Sequence, residues 1–366
     1  MANEKVELPF SIDDYFLASN IGSVQRAITN NTFGINALQV PGAVPLNRVT
    51  QGYVFFTRPQ LNLQTDNLRN DRKFYRLLTK NYLSNSRNIR CLLDPRQVTG
   101  YNFMNNSIPP IPAPLMDNHN AFIPWLTNNL VSMSGWPDST LPTFTSDSGI
   151  FNEVYFQVDG ILDNYEQYDM QTSFRNTRGA PVLALINYWM RYCSNVALGK
   201  FVPYIDYIAK NRLDYNTRIY RLVMDQNKKF VEQILVACVA VPIGINMSGL
   251  GDIAEDVVFN DQVRDVSVTW RCIGFETMDD IHVLEFNTVV GAFNYQMRDK
   301  VRASSMVKVD RDILFLFNNR VYPRINPDTY ELEWWTSKEV YDRRSKAFIA
   351  STVDPNANPA NDITGD

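Results

Sequence analysis

The chain has 366 residues, 45% of them hydrophobic and 20% charged, and carries a net charge of −4 at pH 7. That composition can bury a substantial core, which excludes a wholly disordered chain, and the length suits two or three folded units. The acidic balance argues against a protein whose main task is neutralising nucleic-acid phosphates. No apolar run reaches the roughly 18–20 residues that a membrane helix needs. The opening residues from Met1 to Glu7 lack the basic-then-apolar pattern of a secretory signal. The expectation is a protein without a membrane span, folded in a cytoplasm.

In chain order, residues 1–100 read as a mixed α/β region. Asp13 to Ile28 suits a short helix or a loop leading into one. Gly52 to Pro59 suits an aromatic strand whose ladder stops at the proline. From Asn70 to Tyr82, Phe74, Leu77 and Leu78 recur at helical spacing, with Arg69, Arg72, Lys73, Arg76 and Lys80 opposite them. That positive cluster is the densest in the chain. It reads either as a solvated helix face or as a salt-bridging surface for a neighbouring subunit.

Residues 101–150 carry seven prolines among Asn, Ser, Thr and Gly, from Pro109 to Pro142. Few N–H donors and many turn residues predict little regular structure there. Phe122, Trp125, Leu126, Leu130 and Trp136 are nevertheless too apolar for a free linker, so the stretch should be an ordered insertion packed on something.

Residues 151–300 have the clearest pattern. Val154 to Gly160 predicts a strand, with Met170 to Arg175 as a hairpin partner. Pro181 opens a helix on which Val182, Leu185, Ile186, Trp189, Tyr192, Cys193 and Val196 share a face, stopped at Gly199. Thr217 to Asp225 and Val231 to Val241 predict two strands, the second apolar on both sides and therefore central, ended by Pro242. Val263 to Cys272 alternates, with Val266, Val268 and Trp270 opposite Ser267, Thr269 and Arg271; Ile281 to Val289 reads as a last strand. The predicted fold class is α+β, mostly β: an antiparallel sheet or barrel packed against one helix, with N-terminal and C-terminal extensions. Residues 301–349 form the C-terminal extension, with the apolar run Ile313 to Phe317 and the Trp334-Trp335 pair. Residues 350–366 have little to bury and are expected to form a flexible tail.

A search for chemistry yields nothing of strength. The two histidines, His119 and His282, stand in ordinary contexts, and a triad needs one held between a nucleophile and an acid. The four cysteines, Cys91, Cys193, Cys238 and Cys272, are scattered, which suits buried, inert thiols better than a metal or redox motif. Gly244 to Gly251 follows a strand but has no lysine, and Asp252 would repel a phosphate. Of the acidic pairs, Asp13-Asp14, Asp279-Asp280 and Asp310 with Asp312, each suits a turn or helix cap. No catalytic, cofactor or metal residue is assigned, and the reading is non-enzymatic. The competing enzyme reading needs carboxylates from separate segments to meet in a cleft.

Three features of residues 151–300 resemble the tail-tube family of long-tailed contractile bacteriophages and the related baseplate proteins on which tubes start. They are the apolar strand running into a proline (Leu235 to Ile245), the loop Gly249 to Asp252 leading to the strand Val263 to Cys272, and the single helix Pro181 to Leu198 between strands. The resemblance implies a barrel-like virion subunit that closes with copies of itself into a six-membered ring. It would meet adjacent tail-tube, sheath or baseplate proteins and let DNA pass without specific binding. The surplus length outside 151–300 favours a specialised ring such as a tube initiator. Another virion component, such as a head–tail connector, baseplate wedge or capsid-associated protein, is the nearest alternative. Candidate interface residues are Trp125, Trp136, Trp334 and Trp335, with Arg69, Arg72, Lys73 and Arg76. Replacing Trp334 and Trp335 by alanine should then impair assembly more than folding.

Overall fold

A computed structural model of the protein describes residues 50–81, 83–96, 116–160, 164–247, 264–277, 280–317 and 320–353. The expected helix at Asp13 to Ile28, the Gly249 to Asp252 loop and the tail after 353 lie outside the described residues.

Six antiparallel strands make the principal sheet: β1 (Thr50–Phe56), β2 (Leu130–Ser134), β5 (Asn164–Arg175), β6 (Thr217–Met224), β7 (Val231–Ile245) and β8 (Asp265–Thr277). Their spatial order is β1-β6-β7-β8-β5-β2. The two border strands approach one another through the intervening chain. The Ile123 N–H donates to the Phe56 carbonyl, and the Arg58 N–H donates to that of Ala121. Helix α3 (Pro124–Asn129) then leads directly into β2. The result is a nearly closed, barrel-like sheet built from strands both before and after residue 150. Gly52, at φ +65°, sits in the irregular step between Thr50 and Tyr53 of β1. A Cβ there would lie 2.1 Å from the Leu222 carbonyl oxygen, so the step requires glycine.

One sheet face carries Phe56, Met170, Phe174, Ile219, Ala237, Val266, Val268 and Trp270. It packs on α4 (Pro181–Ala197), whose Val182, Leu185, Ile186, Trp189 and Tyr192 are buried, as the spacing predicts. Gly199, at φ +68°, ends α4, and the Lys200 N–H donates back to the Asn195 carbonyl. Over β1, β6 and β7 the opposite face is also covered. Phe55, Tyr220, Leu222, Ile234 and Val236 pack there on α6 (Ile281–Phe293) and on a three-stranded C-terminal sheet. Strand β7 is central and doubly covered, as expected.

Four expectations need correcting. Ile281 to Val289 belongs to a helix, α6, not a strand: Val283, Phe286 and Val290 are buried at three- and four-residue steps. Its nearly uniform apolarity had masked that period. Phe156 to Val158 (β4) pairs with Thr143 to Thr145 (β3) as a separate two-stranded hairpin, while Met170 to Arg175 runs within β5 and pairs with β8. Pro242 does not end β7. Pairing with β6 finishes at Ala240, so the missing N–H falls where β7 has lost that neighbour, beside an irregular step at Pro242/Gly244. Within the described part of 101–150 there is regular structure, namely α3, β2 and β3.

Between β1 and β2 lie α1 (Thr65–Arg69), a 3-10 helix at Arg72–Leu78 in place of the expected longer helix, and α2 (Asn85–Leu93). Just beyond α2, Arg96 grips Asp206 of α5 (Ile205–Ala209) through two 2.8 Å contacts and lies over the Tyr204 ring. The bond from Arg96 holds the Asp206 carboxyl below its ordinary value. A depressed carboxyl stabilises the fold above the unfolded pKa of about 3.9, and that contribution disappears as pH falls through the folded value. Asp206→Asn is therefore expected to cost about 1 kcal/mol at pH 7, with solvent screening keeping it that small. The cost should fade in acid melts as pH falls below the unfolded value and through the lower folded one.

The C-terminal part continues with α7 (Asp299–Ser305), β9 (Met306–Val309), a 3-10 helix at Arg311–Phe317 over the apolar run, β10 (Tyr322–Ile325), β11 (Leu332–Ser337) and α8 (Lys338–Val353).

Candidate intersubunit surfaces

The outward face of β5 and β8 follows from strict alternation. Opposite the buried Met170, Phe174, Val268 and Trp270 stand Asp169, Gln171, Ser173, Ser267, Thr269 and Arg271. Thr269 Oγ1 donates to Gln171 Oε1 at 3.0 Å, and Arg271 holds Asp169 in two contacts of 2.8 and 3.0 Å. The Arg271 bond lowers the Asp169 carboxyl, so both charges persist and cancel. This face is solvent-accessible, polar and nearly neutral.

The hairpin β3–β4 differs sharply. Both strands are exposed along their whole length. Ile150 and Phe151 at the turn are 94% and 89% exposed, and Tyr155 and Phe156 are 65% and 70% exposed. Glu153 shapes the turn by accepting from the Phe151 N–H at 2.7 Å. The hairpin's root is held by Trp136, whose ring packs 5.4 Å from that of Phe275. From Trp136 to Gly160 the chain contains Asp138, Asp147, Glu153 and Asp159 and no Lys, Arg or His.

The five cations of the expected cluster are all exposed. Phe74 and Leu77 anchor the 3-10 helix in the core, and Arg69, Arg72, Lys73, Arg76 and Lys80 point to solvent. No ion pair within 4 Å engages any of these five among the described residues. Exposed Tyr75 and Leu83 lie in the same stretch.

The four tryptophans sit differently from these cations. Trp125 and Trp136 pack against the α4-side core. Trp334 stacks edge-on to Tyr53 at 5.9 Å, while Trp335 donates to Glu333 at 3.0 Å and lies under Arg302. All four are half-buried in their own chain. Trp334→Ala with Trp335→Ala is consequently expected to lower Tm, by about 3–4 °C for roughly 2–3 kcal/mol. A differential melt against wild type checks it. The arm at 136–160 was not singled out as a surface from the sequence, although its lack of any cation was visible there.

Other polar clusters are structural. His282 Nδ1 lies 3.1 Å from Glu285 and Nε2 is 2.5 Å from Glu276, the latter an electrostatic contact too bent for a good hydrogen bond. Arg218 joins Glu285 from β6. Burial pushes the Cys91 and Cys238 thiols up to about 11 and those of Cys193 and Cys272 to about 12. Among the described residues no group of three potential ligands could hold a metal ion, and no helix is long and apolar enough to cross a membrane. A cavity of about 250 Å³ beside Phe55, Phe122 and Trp334 has a mainly apolar lining without ionisable groups.

A family model described as "Putative phage tail tube protein" matches residues 7–351. The chain belongs to the phage tail tube family. The match takes in the stretches before 151 and after 300, so the length outside the middle region is the family's own. No curated protein matches this tail tube protein. Among solved structures it is similar to the anti-feeding prophage cap, a tube-terminating cap, at 10% identity over 42% of this chain and 81% of that one, with a TM-score of 0.27. It is also similar to a chain of the PVC sheath–tube complex of an extracellular contractile injection system, at 11% identity over 43% and 82%, with a TM-score of 0.25. Superpositions this loose carry no argument about this chain. Family membership identifies a structural tail protein.

Proposed function

We propose that the protein is a non-enzymatic, ring-forming subunit of the tail tube or of the tube–baseplate junction, closing with copies of itself, six in the expected ring, around the DNA channel of the virion. The observation that carries this reading is the arm. A monomer gains nothing by holding Ile150, Phe151, Tyr155 and Phe156 in water on a two-stranded hairpin with both faces bare. An assembly that buries them recovers about 25 cal/mol per Å² of apolar surface.

The outward face of β5 and β8 suits the channel wall. Its hydroxyls, amides and self-neutralised Asp169–Arg271 pair offer phosphates no net positive charge. A passing duplex would therefore gain little affinity and would not stick. The protein would fold in the host cytoplasm and then join neighbouring tube, sheath or baseplate proteins.

Light scattering on a concentration series, with negative-stain images of the largest species, tests the reading. Rings of uniform copy number, about six by the family expectation, are the expected result. A monomer at every concentration would overturn it.

A further inference from the structure

We propose that the acidic, apolar arm of one copy (residues 136–160) docks on the cationic 3-10 face of the next copy, formed by Arg69, Arg72, Lys73, Arg76 and Lys80. The inference rests on the ring reading and assigns the two halves of its interface.

Charge selects the occupant. The arm holds four carboxylates and no cation. From Thr65 to Lys80 the chain has five cations against Asp66 and Asp71. Arg72, Lys73 and Arg76 project from an element anchored by Phe74 and Leu77, with Arg69 and Lys80 flanking it, and among the described residues no ion pair within 4 Å engages any of the five. Apolar character matches as well. Tyr75 and Leu83, 51% and 55% exposed, give the aromatic arm something to cover.

Topology then turns complementarity into assembly. Arm and face are different patches of one chain, and both are exposed, so neither satisfies the other within a copy. A contact between unlike patches is heterologous. It passes from copy to copy and must either close a ring or extend a stack. The opposite charges would steer the approach and fix the register, while the arm's aromatic residues supply most of the buried area.

Charge reversal in the full chain tests this. One variant carries Asp138→Arg, Asp147→Arg and Asp159→Arg on the arm, which leaves the turn-shaping Glu153 intact and makes the arm net basic. The other carries Arg72→Glu and Arg76→Glu. Each alone should assemble at least about tenfold more weakly than wild type, and raising salt from 50 to 500 mM should weaken wild-type assembly while easing both variants' defects. Mixed in equal amounts, the two should recover assembly, because a basic arm meets an acidic face and an acidic arm meets a basic one. Unchanged melting curves would show that each variant folds. Rings that form in both variants as in wild type would overturn the pairing and leave the ring reading standing. Defects that mixing does not repair would overturn it too. Wild type that never assembles removes both.

Discussion

On the proposed ring assembly, Phe151→Ser combined with Phe156→Ser is expected to leave the protein monomeric at concentrations where the wild type assembles. The two rings are 89% and 70% exposed in the isolated chain, so nothing in the fold depends on them. Tm should stay within about 2 °C of wild type, as surface changes usually move stability by no more than about 0.5 kcal/mol. At an interface the sum is different. An aromatic side chain offers about 150–250 Å² for burial, a gross gain of roughly 4–6 kcal/mol. Anchor residues commonly retain about 2 kcal/mol or more of that after ordering and desolvation costs. Losing two such anchors should raise the concentration needed for assembly by at least a hundredfold, since about 1.4 kcal/mol is tenfold. Analytical ultracentrifugation over three decades of concentration measures it. An assembly curve that overlays the wild type would remove the arm from the interface.

The same arm shows where sequence reasoning stopped. Helix α4 was legible because Pro181 fixes its first turn and Leu185, Trp189 and Tyr192 repeat along one stripe. Strand β8 was legible because Val266, Val268 and Trp270 alternate with polar residues over a single period. The cations from Arg69 to Lys80 stood out by charge alone. Three other features depended on partners distant in sequence. Phe156 to Val158 has strand composition, but its partner is a three-residue strand beside Pro142, too short to recognise by period. Pro242 is tolerated because β6 no longer runs alongside it, a fact of register. In α6, apolar residues on nearly every side hide the helical stripe, and Val289 and Val290 add strand propensity that packing overrides. Burial thus decided what local pattern left ambiguous. An exposed apolar segment is the hardest case, because its composition is that of a core strand.

Arg58→Met should be strongly destabilising, and its effect should appear at the seam of the barrel. Arg58 follows β1, is 4% exposed, and among the described residues no carboxylate bonds to it. Its guanidinium instead donates to the carbonyls of Leu92 and Cys91 at the end of α2, and to those of Asp117, Asn118 and Asn120. The last three belong to the loop that delivers Ala121 to Ile123 against β1 and then, through α3, sets β2 at the other border. One planar fork therefore ties the two ends of the open sheet together. The site is dry enough that burial pulls the guanidinium down to about 10, which leaves it fully charged at pH 7. Methionine fills much of the volume but donates nothing, so several buried carbonyls lose their partner at about 1–3 kcal/mol each. With partial rescue by water the total should be about 4 kcal/mol. Arg58→Lys keeps the charge without the fork and should recover less than half of that. Hydrogen exchange separates the seam from a general loss of packing. The amides of Arg58 and Ile123, which close the border, should exchange much faster, whereas those between β7 and β8 should slow or quicken only with global stability. Uniform acceleration across all six strands would mean that Arg58 supports the core and does not close the barrel.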